Sequence, residues 1–312
     1  PFKSLRSGTV YTVNIYDASY SGSPVTLKGG AQPVVTQEDD DEDFFADIRT
    51  HSGSIRIIDD GTFDWKALVP TTDTDRPVTL THEYNGQTLT DWQGFMQAQN
   101  FGATLFGNPQ EREFPVQCAL TVLEGSDIDT SWVEIVNFAF VIRECLNEID
   151  RLSGGTISNH TVQTNGVVHI SSIYVQGGAD ARQWLLTKID WQNFSTGDGN
   201  GGMTARFTMY QCLEDMCRYW GWTARTSGNT LWLIRGAYAL DGFLSLSSSA
   251  LDTLAGGTSA GSIVSAPSVK QLSGDIFASS YQQELLMRGV YKATVKADGK
   301  AADPSLVALY PQ

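Results

Sequence analysis

Residues 208–235 read TMYQCLEDMCRYWGWTARTSGNTLWLIR, and this stretch decides the class of fold. Thr208, with Gln211 three residues later, is typical of a capping box, the pattern that begins a helix. Gly221 stands where a helix ends in the left-handed conformation. Between them, apolar residues recur at the i, i+3, i+4 and i+7 spacing of one helix face: Met209, Cys212, Leu213, Met216, Cys217 and Trp220.

The residues after Gly221 predict a β-hairpin. Residues 222–226 and 230–235 have the composition of strands, and Ser227-Gly228-Asn229 between them is a turn signal. We expect the helix and the hairpin to fold as one α+β unit, because each has an apolar face that needs a partner. The side chains expected to pack together are Leu213, Met216 and Trp220 of the helix and Trp222, Leu231 and Leu233 of the hairpin.

The region before about residue 120 predicts β structure, because short runs of strand-forming residues alternate with turn signals. The predicted strands are Val10–Asp17, Ser54–Asp59, Pro77–Glu83, Leu89–Phe95 and Phe114–Val122, with a hairpin turn at Tyr84–Gln87. Turn signals at intervals of about ten residues are typical of a β-sandwich or a β-barrel.

The rest of the chain predicts one more helix, a loop and a strand. Ser131–Glu134 has the form of a capping box, and the apolar spacing that follows predicts a helix from Trp132 to about Leu152. Residues 241–280 are rich in Ser, Gly and Ala and predict a loop. Residues 289–298 alternate between apolar and polar side chains and predict a strand.

The predicted fold class is therefore α+β and predominantly β, with barrel- or sandwich-like β domains and a helix–hairpin unit. We predict a β-rich domain over residues 1–123. An α+β domain with two main helices and the hairpin follows over residues 124–236. A Ser/Gly-rich loop region with a C-terminal β segment occupies residues 237–312.

The charge of the chain restricts its partners. The 312 residues include 21 Lys and Arg against 35 Asp and Glu, a net charge of −14. Affinity for phosphate comes mainly from clustered cations, and the sequence has no run of Lys or Arg, so we expect no specific nucleic-acid binding. No stretch of about 18 consecutive apolar residues occurs, so we expect no membrane span.

The cysteines predict neither a disulfide framework nor a zinc site. Four cysteines in 312 residues, Cys118, Cys145, Cys212 and Cys217, are too few and too scattered for a stapled fold. Cys212 and Cys217 have no His or further Cys nearby to complete a tetrahedral zinc site. We expect all four to be buried free thiols that act as small apolar side chains.

One motif is typical of hydrolases. Residues 257–261, Gly-Thr-Ser-Ala-Gly, match the G-x-S-x-G pattern of a nucleophile elbow. That elbow needs a strand before Ser259, a helix after it, and an acid and then a histidine later in the chain. Residues 263–267 do not open a helix, and His51, His82, His160 and His169 all precede Ser259. The motif therefore predicts a loop of small residues.

Two acidic segments are candidate calcium sites by composition but not by spacing. Calcium loops interleave their ligands and place a glycine at the turn, and the six adjacent acids of residues 38–43 do not. The segment Asp198–Gly202 has no closing glutamate. Both predict solvent-exposed loops. Acid pairs for glycoside cleavage, such as Asp59 with Asp60 or Asp91 beside Trp92, would be arbitrary choices, because carboxylate separation in space decides that chemistry.

No H-E-x-x-H, P-loop or G-x-G-x-x-G motif is present in the sequence. We therefore expect that the chain is not an enzyme and has no catalytic, cofactor-binding or metal-binding residues and no cofactor.

Several stretches, in their order along the chain, resemble the tail-tip or baseplate-hub structural proteins of tailed phages and prophages. They are 11–17 (YTVNIYD), 55–61 (IRIIDDG), 70–76 (PTTDTDR), 92–95 (WQGF), the helix and hairpin of 212–235, and 288–298 (RGVYKATVKAD). The resemblance spans most of the chain and rests on structural rather than catalytic motifs. It departs from the family at the long Ser/Gly/Ala segment from Ser245 to Ser265.

The resemblance implies barrel-like hub domains with helical insertions, arranged as a ring that joins the tail tube to a central spike. It implies a homo-oligomer whose partners are the tail tube, the spike or other tail proteins. It also implies a location in the virion tail after assembly in the bacterial cytoplasm. If the acidic run at residues 38–43 faced the lumen of such a ring, its charge would repel passing DNA.

Two other functions predict different structures. A carbohydrate-binding adhesion module would use exposed, coplanar aromatic rings as a platform for sugars, and the chain has eight Trp and eleven Tyr. A cell-wall hydrolase would need carboxylates with perturbed pKa values in a cleft. Burial of the aromatic side chains would argue against the first of these, and a structure with few such cleft carboxylates would argue against the second.

Overall fold

The structure is a computed structural model that describes residues 2–3, 9–38, 46–98, 109–128, 135–158, 161–164, 166–190, 195–197, 203–235 and 242–265. The chain divides into two compact units, Pro1–Pro267 and Ser268–Gln312, and every described residue belongs to the first. The strand predicted over residues 289–298 and residues 39–43 of the acidic run lie outside the described residues.

The elements in chain order are mostly short strands. The strands are β1 (Phe2–Lys3), β2 (Val10–Ile15), β3 (Gly29–Glu38), β4 (Ile48–Arg49), β5 (His51–Asp59), β6 (Pro77–Tyr84), β7 (Gln87–Met96), β8 (Gln110–Cys118), β9 (Ile135–Asn137), β10 (Thr156–Ser158), β11 (Thr161–Thr164), β12 (Ser172–Gln176), β13 (Lys188–Asp190), β14 (Ser195–Gly197), β15 (Met203–Arg206), β16 (Thr223–Ser227), β17 (Thr230–Ile234), β18 (Phe243–Ser247) and β19 (Ser262–Val264). The helices are α1 (Phe138–Leu152), α2 (Asp180–Leu185), α3 (Met209–Trp220) and α4 (Ser248–Ala255), with 3-10 turns at Trp65–Leu68 and Thr121–Gly125.

Seven strands form one antiparallel sheet in the order β1-β2-β6-β7-β8-β5-β3, which curls into a half-barrel. Asn85 and Gly86 join β6 to β7 with φ values of 52° and 75°, the positive values that a two-residue type I′ turn requires. One apolar cluster belongs to this sheet: Ile55, Ile57, Val78, Met96, Phe114 and Val116. The predicted strands are confirmed except at the last one, which ends at Cys118 and is followed by the 3-10 turn Thr121–Gly125.

Six strands form a second, mixed sheet in the order β19-β18-β12-β17-β16-β4. β12 pairs with β17 in parallel and with β18 antiparallel. At the edge, β4 pairs with β16 in parallel, so this sheet includes a strand from the N-terminal part of the chain. The inward-facing residues of this sheet are buried in one cluster with residues of α1, α3 and α4: Ile173, Val175, Ala224, Leu231, Leu233, Leu244 and Leu246.

The helix–hairpin unit of residues 208–235 is confirmed. The Thr208 hydroxyl accepts a hydrogen bond from Gln211 N, and the Gln211 side chain accepts one from Thr208 N, which completes the capping box. Gly221 follows the helix in the left-handed conformation with φ 65°. The predicted helix and hairpin side chains share one cluster, in which all are buried except Trp220, which is half-buried.

We expect Thr208→Ala to lower the free energy of unfolding by about 1 kcal/mol, because α3 loses a cap and the Gln211 N–H loses its acceptor. Urea denaturation followed by circular dichroism measures the change. Thr208→Ser, which keeps the hydroxyl, is the matched control and should stay close to the parent. Equal losses in the two variants would show that the cap contributes nothing.

Helix α1 begins later than the sequence predicts. Residues Ile135–Asn137 form strand β9, which pairs with Lys188–Asp190, and the Asn137 side chain then caps the helix by accepting from Phe140 N at 2.8 Å. The predicted start at Trp132 is therefore wrong, because residues 135–137 are hydrogen-bonded to another strand. The predicted end at Leu152 is confirmed. The capping-box pattern at 131–134 lies outside the described residues.

The loop predicted over residues 241–280 is wrong for its first half. Residues 243–264 contain β18, α4 and β19, and the small residues of this segment surround apolar side chains that are buried in the core. Ser247 caps α4 by accepting from Ala250 N at 3.3 Å, which shows why a serine-rich sequence suits a strand-to-helix junction here. The buried apolar residues of the segment are Phe243, Leu244, Leu246, Leu251 and Leu254.

The observed fold is α+β and predominantly β, with a curled half-barrel sheet and a few helices, as the sequence predicts. The boundaries at residues 123/124 and 236/237 stay predictions.

Candidate functional site: an aromatic sheet face and a projecting hairpin

The outer face of the six-stranded sheet differs in chemistry from its buried inner face. Side chains alternate between the two faces along each strand, so the buried Leu231 and Leu233 point inward while Trp232 points outward. The register places Tyr174 opposite Trp232, Trp232 opposite Arg225, and Arg225 opposite Arg49. These four residues form a row across β12, β17, β16 and β4, which we call the aromatic–arginine row.

Aromatic rings cluster at this row outside both buried clusters. The Tyr174 and Trp232 rings stack with centroids 4.6 Å apart and an interplanar angle of 15°. Phe243 of β18 meets them edge-on, at 5.6 Å from Trp232 and 6.4 Å from Tyr174. Neither apolar cluster includes these three rings. Tyr174 and Trp232 are half-buried, so their rings remain available to a partner.

Two arginines, Arg49 and Arg225, lie on this face. Among the described strands β4, β12, β16, β17, β18 and β19, no outward-facing residue of the row's face is Asp or Glu, whereas Arg49 and Arg225 are cations. The whole chain carries −14.

The end of the β6–β7 hairpin over residues 82–90 is called the hairpin tip. Among the described strands, β2 pairs with β6 only as far as His82 and β8 pairs with β7 only from Gly94. Cross-strand pairing puts Tyr84 and Leu89 on the same side of the tip, where their side chains are 62% and 41% exposed. Glu83 lies on the opposite side and is exposed. The tip therefore presents an apolar side and an acidic side next to a two-residue turn.

A close contact fixes the base of the hairpin tip against the second sheet. Gly228 N, in the turn between β16 and β17, donates to Asp91 O at 3.1 Å. Gly228 has φ 57°, and a Cβ at this position would lie 2.3 Å from Thr90 O. Only glycine fits here, so the turn and β7 hold a fixed arrangement.

One cavity of about 210 Å³ lies between α1, α4 and residues 169–170. The Asp150 carboxylate, 2% exposed, accepts from Gly166 N and contacts the His169 ring at Nδ1. Gln93 of β7 donates to His169 O at 2.9 Å and accepts from His169 N at 3.1 Å. These bonds link α1, residues 166–170 and the seven-stranded sheet, so the group acts as a structural clamp.

The acids considered as a glycosidase pair are ion-paired in the structure. Asp59 lies 3.0 Å from Arg112 Nη2, and Asp60 lies 2.5 Å from Lys28 Nζ. Hydrogen bonds from Lys28 and then Thr62 lower the pKa of Asp60. Asp91 lies 2.7 Å from His82 Nδ1. Each of these carboxylates is therefore held beside a basic side chain.

The four cysteines are buried free thiols, as predicted. Burial raises the pKa of Cys145, Cys212 and Cys217, with smaller contributions from nearby negative charges. A thiol reacts as its thiolate, and a raised pKa removes the thiolate near neutral pH.

We therefore expect none of the four thiols to react with a disulfide reagent in the folded protein at pH 8, and all four to react in denaturant. Counting modified thiols by mass spectrometry checks this. Modification of any cysteine before unfolding would contradict the burial described here.

The other residues singled out in the sequence lie in several places. Ser259 lies between α4 and β19, so a helix precedes it and a strand follows, the reverse of the order in a nucleophile elbow. Residues 198–202, His160 and Trp191 lie outside the described residues. In the described part of the chain, no group of three or more His, Cys, Asp or Glu side chains is placed to hold a metal.

No described helix is long and apolar enough to cross a membrane.

The aromatic–arginine row was not predicted as a surface. The sequence does contain its signal, since Trp232 stands between two apolar residues in the alternating run 230–234 and so faces away from the core. The neighbours of Trp232 come from β12, β4 and β18, and their register is set only by the folded sheet.

Comparison with known proteins finds a limited likeness. No protein-family model and no curated protein matches the chain. Among solved structures, a tail protein from Neisseria meningitidis MC58 is similar over 72% of this chain, with 10% sequence identity and a TM-score of 0.32. This chain spans half (50%) of the length of that protein.

Proposed function

We propose that the chain is a non-catalytic structural subunit of a phage-type tail, a baseplate-hub or tail-tip component that assembles as a ring between the tail tube and the spike. The sequence resemblance at residues 11–17, 55–61, 70–76, 92–95 and 212–235 supports the class of protein. All of these stretches fall on described strands, turns or helices of the fold.

The observation that carries the proposal is the open half-barrel. The seven-stranded sheet does not close on itself, and its two edges are β1 and β3. Within the described residues, β3 pairs only with β5, so no described strand covers its other side. Such an edge is a template for pairing with another chain, and assembly with neighbours covers it.

The net charge agrees with a position around a DNA path. A chain with net charge −14 repels the phosphate backbone, so a ring of several copies would not bind DNA that passes through it. Apolar contacts and salt must then offset the repulsion between copies. At physiological ionic strength, dissolved salt screens the repulsion between exposed charges that are more than about 8 Å apart.

The adhesion alternative receives no support from the aromatic side chains described here. Tyr174 and Trp232 stack face to face, so each ring uses one of its faces on the other rather than lying side by side as a sugar platform. The strongly exposed aromatic residues among those described are Tyr16, Tyr20, Tyr84 and Tyr219, and none is a tryptophan.

Particles induced from a strain that carries the gene test the proposal. We expect the chain among the proteins of purified particles by mass spectrometry, and in a reconstruction as a ring around the tail axis where the tube meets the spike. Absence from the particles would overturn the proposal. A peripheral position as a lone knob with its aromatic rings exposed would replace it with the adhesion function.

A further inference from the structure

We propose that the cavity between α1, α4 and residues 169–170 binds a small organic cation, an ammonium or guanidinium group on a short alkyl chain, and that the Asp252 carboxylate is its partner. Such a cation is either a free amine or the end of a Lys or Arg side chain on another protein. The inference goes beyond the proposed function, because the cavity lies within one subunit and can be tested on the protein alone.

The cavity combines polar and apolar walls. Helix α1 contributes Arg143, Asn147 and Asp150, and helix α4 contributes Ser248 and Asp252. Spacings of three and four residues place these side chains on one face of each helix. A volume of about 210 Å³ holds a group of several non-hydrogen atoms, since one water takes about 30 Å³ in the liquid. The apolar side chains of the lining are Leu146, Ile170 and Leu251.

The charged side chains that line the cavity are paired, with one exception. Arg143 donates from Nε to Glu144 Oε1 at 2.9 Å, and its Nη2 lies 2.7 Å from the same oxygen. The Asp150 carboxylate accepts from Gly166 N and contacts His169 Nδ1. In each of these pairs the two charges, or the charge and its donors, compensate one another.

The exception is the Asp252 carboxylate. It makes no hydrogen bond and no ion pair with any described residue. The side chain is half-buried, and burial raises the pKa of its carboxyl, while the charge of Arg143 lowers it by less. Burial disfavours an ionised carboxylate, and an opposite charge placed beside it favours that form. A cation is therefore the group that complements the lining of this cavity.

The lining favours an organic cation over a metal ion. A bound metal ion takes several ligands, and among the residues described no group of three or more His, Cys, Asp or Glu is placed to hold one. An ammonium or guanidinium group instead makes a strong hydrogen bond to a single carboxylate, and its alkyl chain can lie on Leu146 and Leu251. Asp150 and Asp252 lie in the last turns of α1 and α4, where the helix dipole also favours positive charge.

Titration calorimetry of the full chain near neutral pH and at constant ionic strength tests the site. The probes are n-butylammonium and methylguanidinium, with 1-butanol as the neutral isostere of the first. We expect one saturable site for each cation and none for 1-butanol. The cations should also raise Tm as their concentration increases, because a ligand that binds only the folded state stabilises it.

Variants of Asp252 test the role of its charge. Asp252→Asn should bind n-butylammonium about 10-fold or more weakly, the loss expected when a hydrogen bond to a charged group is removed. Asp252→Glu keeps the charge and should bind more tightly than Asp252→Asn. Asp180→Asn is the matched control, since Asp180 is an exposed carboxylate on α2 that does not line the cavity, and it should bind like wild type. Circular dichroism establishes that each variant is folded.

A lysine derivative distinguishes the two sources of the cation. N-acetyl-lysine methylamide carries the same alkylammonium group on a peptide backbone. If it binds as tightly as n-butylammonium, the cavity admits a Lys side chain of another protein. If n-butylammonium binds and this derivative does not, the cavity is assigned to free amines.

Three results would overturn the inference. Absence of saturable binding of both cations up to tens of millimolar rejects the site. Equal binding of n-butylammonium by wild type and Asp252→Asn rejects the carboxylate as the partner. Binding of 1-butanol as tight as that of n-butylammonium shows that the cavity does not recognise charge. Each of these results leaves the proposed function standing, and absence of the chain from purified particles rejects that function separately.

Discussion

Trp222→Ala lowers the free energy of unfolding by about 3 to 5 kcal/mol, the range for truncating a large aromatic side chain in a core. Trp222 is 1% exposed and lies at the centre of an aromatic group, 6.0 Å from Trp220 and 6.2 Å from Trp184 between ring centroids. Among the described residues its indole N–H has no hydrogen-bond partner, so the expected loss comes from packing. Urea denaturation followed by circular dichroism gives the value.

Tyr219→Ala is the control for this prediction. Tyr219 touches the same aromatic group, with its ring 5.1 Å from that of Trp220, but its side chain is 63% exposed. An exposed aromatic leaves little cavity when removed, so we expect a loss of about 1 kcal/mol or less. Similar losses for Trp222→Ala and Tyr219→Ala would show that this aromatic group does not belong to the core.

Asp150→Ala lowers the free energy of unfolding by about 3 kcal/mol, because removing one partner of a buried pair leaves the other groups without an acceptor. The groups left behind are the Gly166 N–H and the His169 ring, both of which the Asp150 carboxylate contacts. The loss also loosens residues 166–170, which carry the hydrogen bonds to Gln93 of the seven-stranded sheet.

Two further variants separate the clamp from general effects of charge. Asp150→Asn keeps an acceptor oxygen for Gly166 N and should lose clearly less than Asp150→Ala. Arg151→Ala breaks an exposed ion pair with Glu148 on the same helix, and such pairs contribute about 1 kcal/mol or less. An Asp150→Ala loss no greater than that of Arg151→Ala would contradict the clamp.

The sequence predicts an element well where local signals agree. For helix α3, the capping box at Thr208 predicts the start, the apolar stripe predicts the buried face and Gly221 predicts the end. The structure has this helix at Met209–Trp220. Helix α1 has a good apolar stripe but begins at Phe138, because pairing of β9 with residues 188–190 competes for its first turn. That competition depends on residues about 50 positions away, which a local pattern does not contain.

Composition misled the prediction for residues 243–264. Serine and glycine there are the residues of caps and turns, and the leucines between them are the residues of a buried strand and helix. The candidate site is the part of the structure that the sequence predicts least well. The aromatic–arginine row takes one residue from each of four strands, and only the register of the folded sheet brings them together. The tip was predictable as a hairpin.

Strand β4 has a consequence for synthesis on the ribosome. Its residues Ile48 and Arg49 emerge early, yet their partners Ala224 and Arg225 follow about 175 residues later. At a translation rate of about 5 to 20 residues per second, β4 waits about 10 to 35 s for β16. Once β8 (Gln110–Cys118) has emerged, about 70 residues into that interval, the half-barrel can form from its own strands, while the edge that β4 will complete does not yet exist. Nascent chains should therefore gain protease resistance in the half-barrel first, and around residues 46–49 only after β16 has left the exit tunnel.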